Sequence, residues 1–261
     1  MSILALRAPT RAWHLIERNL MIYRRTWMIL FSGFFEPLLY LLAIGFGIGS
    51  LVKNVTVSDG HVVSYALFVA PALMASSAMN GAIYETTFNL FYKLRYSKTF
   101  EAIIVTPVGV EDVALGEVLW AFIRGSMYSV GFLVVMVALR LVGSWWAILA
   151  IPAAMLLGFS FAAVGAAATT FLRRWQDFDI VQLVLQPLFL FSATFFPITV
   201  YPPVLRLVVE VTPLYHGIDL IRGLTTGAIG VGLLGDVAYL AVMGLIGLAV
   251  TAVRLKSRLL K

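Results

Sequence analysis

Glu36, Glu85 and Arg124 are charged side chains set within long apolar runs of the chain. Charge at the depth of lipid tails is costly, so such residues line a wet path, relay protons or pair with one another. Glu36 stands before Pro37, which kinks a helix and frees backbone carbonyls. Lining a path and holding a structural partner are both open to it. Glu85 and Asn89 are one helical turn apart, with Asn80 nearby, and make a polar stripe on one helix. That stripe reads as the wall of a cavity or a cytoplasmic vestibule. Arg124 lies two turns beyond Glu117 and either snorkels to the interface or pairs with that carboxylate. Gln182 and Gln186, again a turn apart and followed by Pro187, reach across a dimer seam or toward a substrate. Phe189, Phe191, Phe195 and Phe196 offer an apolar wall to an amphiphilic cargo or to lipid. Glu36, Tyr40, Glu85, Asn89, Gln182, Gln186 and Phe189 are therefore the candidate translocation path.

Bond-making chemistry is not signalled. The chain has no cysteine, which excludes disulfides, thiolate metal sites and a cysteine nucleophile. His14, His61 and His216 fall in three separate regions and read as interfacial or hydrogen-bonded residues rather than metal ligands. A phosphate-binding loop of the G-x-x-x-x-G-K-[ST] type needs a Gly-Lys pair, and none occurs. Neither G-x-S-x-G nor H-E-x-x-H is present. The chain reads as non-catalytic, with no metal or cofactor of its own.

The elements that must position these residues are membrane helices. With 61% apolar and 12% charged residues and a mean hydropathy of +0.95 over 261 residues, a water-soluble domain is excluded. A span uses about 20 apolar residues, and such runs occur at 27–52, 62–91, 113–141, 145–172, 180–196 and 233–253. The expected fold is an all-α integral membrane protein of six transmembrane helices, forming one domain over 1–261. Among the 19 Lys and Arg, only Lys53, Arg140, Arg206 and Arg222 flank the spans on one side; Arg124 lies within a span and the rest fall on the other side. The positive-inside rule then places both termini in the cytoplasm of a cell inner or plasma membrane. Topology thus accounts for the net charge of +6, leaving no need for a nucleic-acid partner. Residues 1–26 lack a signal-peptide pattern. Trp13, Ile16, Leu20, Tyr23 and Trp27 recur at helical spacing, as in an interfacial amphipathic helix; a basic leader that only fixes orientation is the other reading. Gly158, Ala162, Gly165 and Ala166 mark a close helix contact, and Trp145-Trp146 an interfacial anchor.

Two connections are unusual. In 93–112, a cytoplasmic loop, Thr99 is the expected N-cap of a short helix, Glu101 lies in its first turn, Phe100, Ile103 and Ile104 share a face, and Pro107 ends it at Thr106. Glu111 and Asp112 then open the next helix. The short helix either docks in a groove of a cytoplasmic partner or lies on the lipid surface. In 197–232, outside, apolar runs too short to span are punctuated by Pro197, Pro203 and Pro213. Re-entrant half-helices are expected, the second carrying Tyr215, Asp219 and Arg222, and they should roof a cavity or an interface.

These segments resemble the ABC-2 family of ABC exporter permeases. The resemblance rests on Lys98-Thr-Phe-Glu-Ala-Ile-Ile-Val-Thr-Pro107 with Leu115-Gly-Glu117, on Phe196-Pro197, on Thr212-Pro-Leu-Tyr215 and on Leu220-Ile-Arg-Gly223, and it extends over the whole chain. Within the family the chain looks most like permeases of nodulation-factor (lipo-oligosaccharide) and daunorubicin-type drug exporters. The resemblance implies export of an amphiphilic or lipid-linked substrate, pairing with a second permease chain as a homodimer, and two copies of a separate ABC ATPase subunit that bind ATP and Mg. It assigns ATPase coupling to a coupling helix at 99–105, with Thr99, Phe100, Glu101, Ile103, Ile104, Thr106 and Pro107 at or beside it. The competing expectation, from the residues alone, is an ion- or proton-coupled transporter using Glu36 and Glu85.

Overall fold

The computed structural model describes residues 8–25, 35, 37–52, 54–56 and 62–259; Glu36, Trp27, Lys53 and His61 lie outside them. The described chain is mostly helical. Its elements are α1 (Ala8–Arg25), α2 (Pro37–Leu51), strands β1 (Asn54–Thr56) and β2 (Val62–Ser64), α3 (Tyr65–Arg95), α4 (Thr99–Ile104), α5 (Val110–Ala138) and α6 (Trp145–Thr169). Then follow α7 (Phe178–Phe191), α8 (Pro203–Val211), α9 (Pro213–Thr226) and α10 (Gly232–Leu259). Among the described residues four helices are long and apolar enough to cross a membrane: α3, α5, α6 and α10.

α3 is the central helix: 83% of its apolar window is buried, against 22% for α10 on the periphery. It packs on α5, α6 and α9, while α10 lies along α6 and α1 along α5. Glycines set the closest approach. A methyl group at Gly125 of α5 would stand 3.1 Å from the Ala78 carbonyl of α3, so the two backbones meet where only a hydrogen fits. Polar side chains of α3 return to their own backbone, Ser76 to Ala72 O (2.9 Å) and Thr87 to Ile83 O (2.6 Å). The helix widens to a π turn at Glu85–Asn89, where the polar stripe lies.

Antiparallel chain order puts α4, the starts of α5 and α7 and the ends of α6 and α10 at one end of the molecule. The hairpin, α8 and α9 lie at the other. Glu111 and Asp112 lie in the first turn of α5, and Asp112 accepts the Gly109 N–H at 2.9 Å. Pro203 and Pro213 each occupy the first turn of a half-helix, and α9 stops at Gly227, whose φ of +91° suits only glycine.

Several expectations are corrected. The fold is not purely helical, because β1 and β2 pair with Val55 opposite Val63. The run at 180–196 does not stay helical to its end: α7 stops at Phe191, and 192–197 is irregular. The run at 27–52 is described only from residue 35 and contains α2, about 22 Å long at 1.5 Å per residue. α1 turns Leu15, Ile16 and Asn19 inward, whereas Trp13 and Leu20 of the expected stripe are exposed; the side chain of Tyr23 lies outside the described residues. Packing on α5, rather than lipid alone, therefore selects its inner face. Lys98, not Thr99, caps α4 with a left-handed backbone (φ +49°), while Thr99 meets the Ser97 hydroxyl at 2.7 Å. The helix ends at Ile104, before Thr106.

Candidate translocation cleft and coupling surface

α2, α3 and α7 enclose a narrow cleft. Tyr40, Gln182, Gln186 and Phe189 of the expected path line it, together with Ser76, Asn80 and Tyr84. The amides stand on α3 and α7 because each helix repeats its polar residues near one turn, and the rings of Tyr40 and Phe189 meet at 5.6 Å. Phe195 closes one end, its ring edge-on to Phe189 at 5.3 Å. Three side-chain hydrogen bonds hold the irregular backbone at 192–197 at this roof. Thr194 donates to Phe189 O (2.6 Å), the Tyr65 hydroxyl to Phe195 O (3.3 Å) and Arg222 to Ala193 O (2.9 Å).

Glu85 and Asn89 do not join the cleft. Glu85 is buried and ion-paired with Arg124 of α5, whose Nε donates to the Tyr128 hydroxyl at 2.9 Å; Asn89 Nδ2 donates to Glu85 Oε2 at 2.7 Å. Arg124 thus neither snorkels nor pairs with Glu117. That carboxylate accepts Lys93 Nζ at 2.6 Å, and Lys93 also donates to Asn19 Oδ1 at 3.3 Å. The α3–α5 contact at Gly125 sets the register that brings each acid to a base on the facing helix. A proton carrier needs a carboxylate open to a water path, whereas Glu85 is 1% exposed and held by two donors. Glu36, the other member of that reading, lies outside the described residues.

At the α4 end, Phe100 is fully buried in the main core, Ile103 is half-buried against it, and the side chain of Ile104 is not among those described. The exposed surface of the loop includes Glu101, Ala102, Val105, Thr106 and Pro107, with Val105 85% exposed. The expected shared face of Phe100 and Ile103 anchors the helix to its own chain. Thr106 closes the turn by donating to Ile103 O at 2.6 Å.

At the opposite end, Arg222 is buried rather than a loop charge. Its guanidinium carbon lies 3.9 Å from the centroid of the Phe68 ring, and Nε donates to Phe68 O at 3.2 Å. Tyr215 and Asp219 sit half-buried on the same helix. His216 Nδ1 lies 2.7 Å from Asp236 Oδ1 on α10, its ring stacked on Tyr239 at 4.1 Å, so this histidine staples α9 to α10.

A model of the ABC-2 type transporter family matches residues 10–225, from within α1 to the last turn of α9. The chain belongs to the ABC-2 type transporter family. It is 32% identical over 226 residues to nodulation protein J of Rhizobium meliloti (strain 1021), covering 84% of each chain. It is 31% identical over 264 residues to nodulation protein J of Rhizobium leguminosarum bv. trifolii, covering 100% of this chain and 98% of the relative. As an ABC-2 permease it is a multi-pass transmembrane transport subunit of an export system, and membership implies an ABC transporter with an ATPase partner.

Sequence reasoning about this permease overlooked the Lys93–Glu117 and His216–Asp236 pairs, whose members lie 24 and 20 residues apart on different helices. Local spacing carries no trace of either. The hairpin was signalled, since β-branched Val55, Thr56, Val62 and Val63 flank Asp59-Gly60.

Proposed function

We propose that this permease is the membrane-spanning subunit of an ATP-driven exporter for an amphiphilic or lipid-linked substrate, a glycolipid, polysaccharide or drug. In this reading α2 and α7 complete six spans and both termini are cytoplasmic in an inner or plasma membrane. Two copies pair, and two ATPase subunits carrying ATP and Mg sit beneath the α4 end. The observation that carries it is membership of the ABC-2 type transporter family, and the narrow cleft marks where cargo would enter on opening. Asn80, Gln182 and Gln186 offer hydrogen bonds to hydroxyl groups, beside the ring surfaces of Tyr40, Tyr84 and Phe189 for apolar parts of the same cargo. Exposed Leu39, Leu42, Leu183 and Val184 flank the cleft and supply a face for the second copy.

Gln186 is exposed on the cleft wall, and loss of one hydrogen bond from it to the cargo costs about 0.5–1.5 kcal/mol, on the order of two- to tenfold in affinity. Gln186→Leu is therefore expected to lower transport roughly two- to tenfold, with membrane insertion and oligomeric mass unchanged. Unaltered transport in that variant would remove the cleft from the path.

The coupling assignment moves to the free face of α4. Ala102→Asp with Val105→Asp should abolish transport-linked ATP hydrolysis while the chain melts as the parent does. Phe100→Asp should instead unfold the α4 end, since losing a buried Phe costs about 3–5 kcal/mol. Wild-type stimulation of ATPase activity in the double variant would defeat docking through this face. Gentle purification followed by mass spectrometry separates the classes: a stoichiometric P-loop ATPase supports export, whereas transport by the chain alone along a pH gradient would support the proton-coupled reading.

A further inference from the structure

An apolar groove runs between α6 and α10 on the face away from the cleft, lined by Val164 and Ala167 on one side and Val242, Ile246, Gly247 and Val250 on the other. The same face of α10 continues past Val250 to Arg254 and Arg258, at helical spacings of four. The guanidinium carbon of Arg254 lies over Phe171, 4.2 Å from the ring centroid, just beyond the end of α6. Arg95 reaches this point from α3, donating to Leu172 O at 3.5 Å, and Arg173 follows in the chain. Arg258 feels the charges of Arg95, Arg173 and Arg254 together.

Among the described residues none of these four guanidiniums has a carboxylate partner. Two acids lie nearby, and neither makes an ion pair with one of the four guanidiniums. Asp177 accepts the backbone N–H of Arg173 (2.6 Å) and Arg174 (3.0 Å), which holds its carboxyl below the usual carboxylate range, and Glu111 meets Lys256 at 3.5 Å. Four cations thus close one end of an apolar groove. From Val242 to Arg254 the groove is about 18 Å long at 1.5 Å per residue, close to the roughly 15 Å depth of one leaflet.

We infer that this groove is a site for one anionic phospholipid of the cytoplasmic leaflet, its acyl chain along α6 and α10 and its phosphate among Arg95, Arg173, Arg254 and Arg258. Charge complementarity selects an anionic headgroup over a zwitterionic one, and the matched length selects a lipid over a soluble anion. Only the side of the membrane rests on the proposed orientation; lipid binding stands whether or not the chain exports.

The full-length chain, extracted with the subunits it retains and then delipidated, is titrated by native mass spectrometry. The probes are dioleoyl phosphatidylglycerol, dioleoyl phosphatidylcholine and inorganic phosphate. Phosphatidylglycerol should bind one per chain and at least about tenfold tighter than phosphatidylcholine, with no displacement by inorganic phosphate. Arg254→Gln with Arg258→Gln should weaken it roughly 30-fold, at the usual contribution of a basic residue facing anionic lipid. Arg140→Gln with Arg206→Gln, basic residues at the opposite end of the molecule, should leave it unchanged. Val250→Trp, which fills the groove and keeps every charge, should also weaken it. Equal binding of the two lipids, indifference to the arginine pair, or displacement by phosphate alone would each overturn the site. A change of oligomeric mass in Val250→Trp with phosphatidylglycerol binding intact would overturn it too, giving this face to a second copy. If Val250→Trp fails to fold, the arginine pair decides.

Discussion

Arg124→Met is expected to cost the permease about 3–5 kcal/mol, the usual price of leaving one member of a buried ion pair uncompensated. Glu85, 1% exposed, would keep the Asn89 amide and lose its guanidinium, while Tyr128 would lose the donor at 2.9 Å. At about 2–4 °C per kcal/mol for a chain of this size, the melting midpoint should fall on the order of 10 °C. Glu85→Met combined with Arg124→Met removes both charges at once and should recover most of that loss, because two apolar side chains of similar volume satisfy an interior that a single charge does not. Midpoints of the parent, both single variants and the double variant, followed by size-exclusion after heating, close the cycle. Additive losses would mean that the two side chains do not interact across α3 and α5. A proton-carrying Glu85 predicts something else again: Glu85→Gln would abolish transport at an unchanged midpoint.

That pair also shows where sequence legibility ends. Both charges were recognised as needing a partner or water, because the cost of charge in an apolar run is a local property. The partner was not, because 39 residues separate Glu85 from Arg124 and only the α3–α5 contact at Gly125 aligns them. Phe100 failed in a similar way: a short apolar stripe announces burial but not against what, and here it is the chain's own core. Features written in backbone chemistry were legible. Pro203 and Pro213 start helices because a missing N–H is harmless there, and Glu111 and Asp112 open α5 because an N-terminal turn favours acidic side chains. Tyr40, Gln182, Gln186 and Phe189 line one cleft, and the local signals for this are the one-turn spacing of the two amides and the prolines beside Tyr40 and Gln186. The irregular end of α7 was not legible, since the local bonds of Ser192 and Thr194 to Leu188 O and Phe189 O act together with the distant donors Tyr65 and Arg222.

Those contacts make Arg222→Met the test of the outer roof. Ala193 adopts φ +56°, a left-handed conformation that costs a non-glycine residue about 1–2 kcal/mol. The segment holds it because Arg222 Nη2 bonds Ala193 O at 2.9 Å while Nε bonds Phe68 O at 3.2 Å, tying residues 192–197 to the start of α3. Hydrogen bonds from a charged group contribute about 1.5–3 kcal/mol each, so both together outweigh the strain. Without them, two carbonyls at the roof lose their donor and the left-handed turn loses its restraint. The chain has no cysteine, so Ala193→Cys supplies a single reporter, buried in the parent at 1% exposure. A drop of about 3 kcal/mol in the cost of local opening should speed its labelling by a membrane-impermeant maleimide on intact cells roughly 100-fold. Ala193→Gly in the Arg222→Met chain should regain part of the lost stability, because glycine adopts positive φ without the steric penalty. Labelling that stays slow in Arg222→Met would assign the hold on this segment to Thr194 and Tyr65 instead. Rapid labelling only after the cells are opened would place the roof, and with it both half-helices, on the cytoplasmic side.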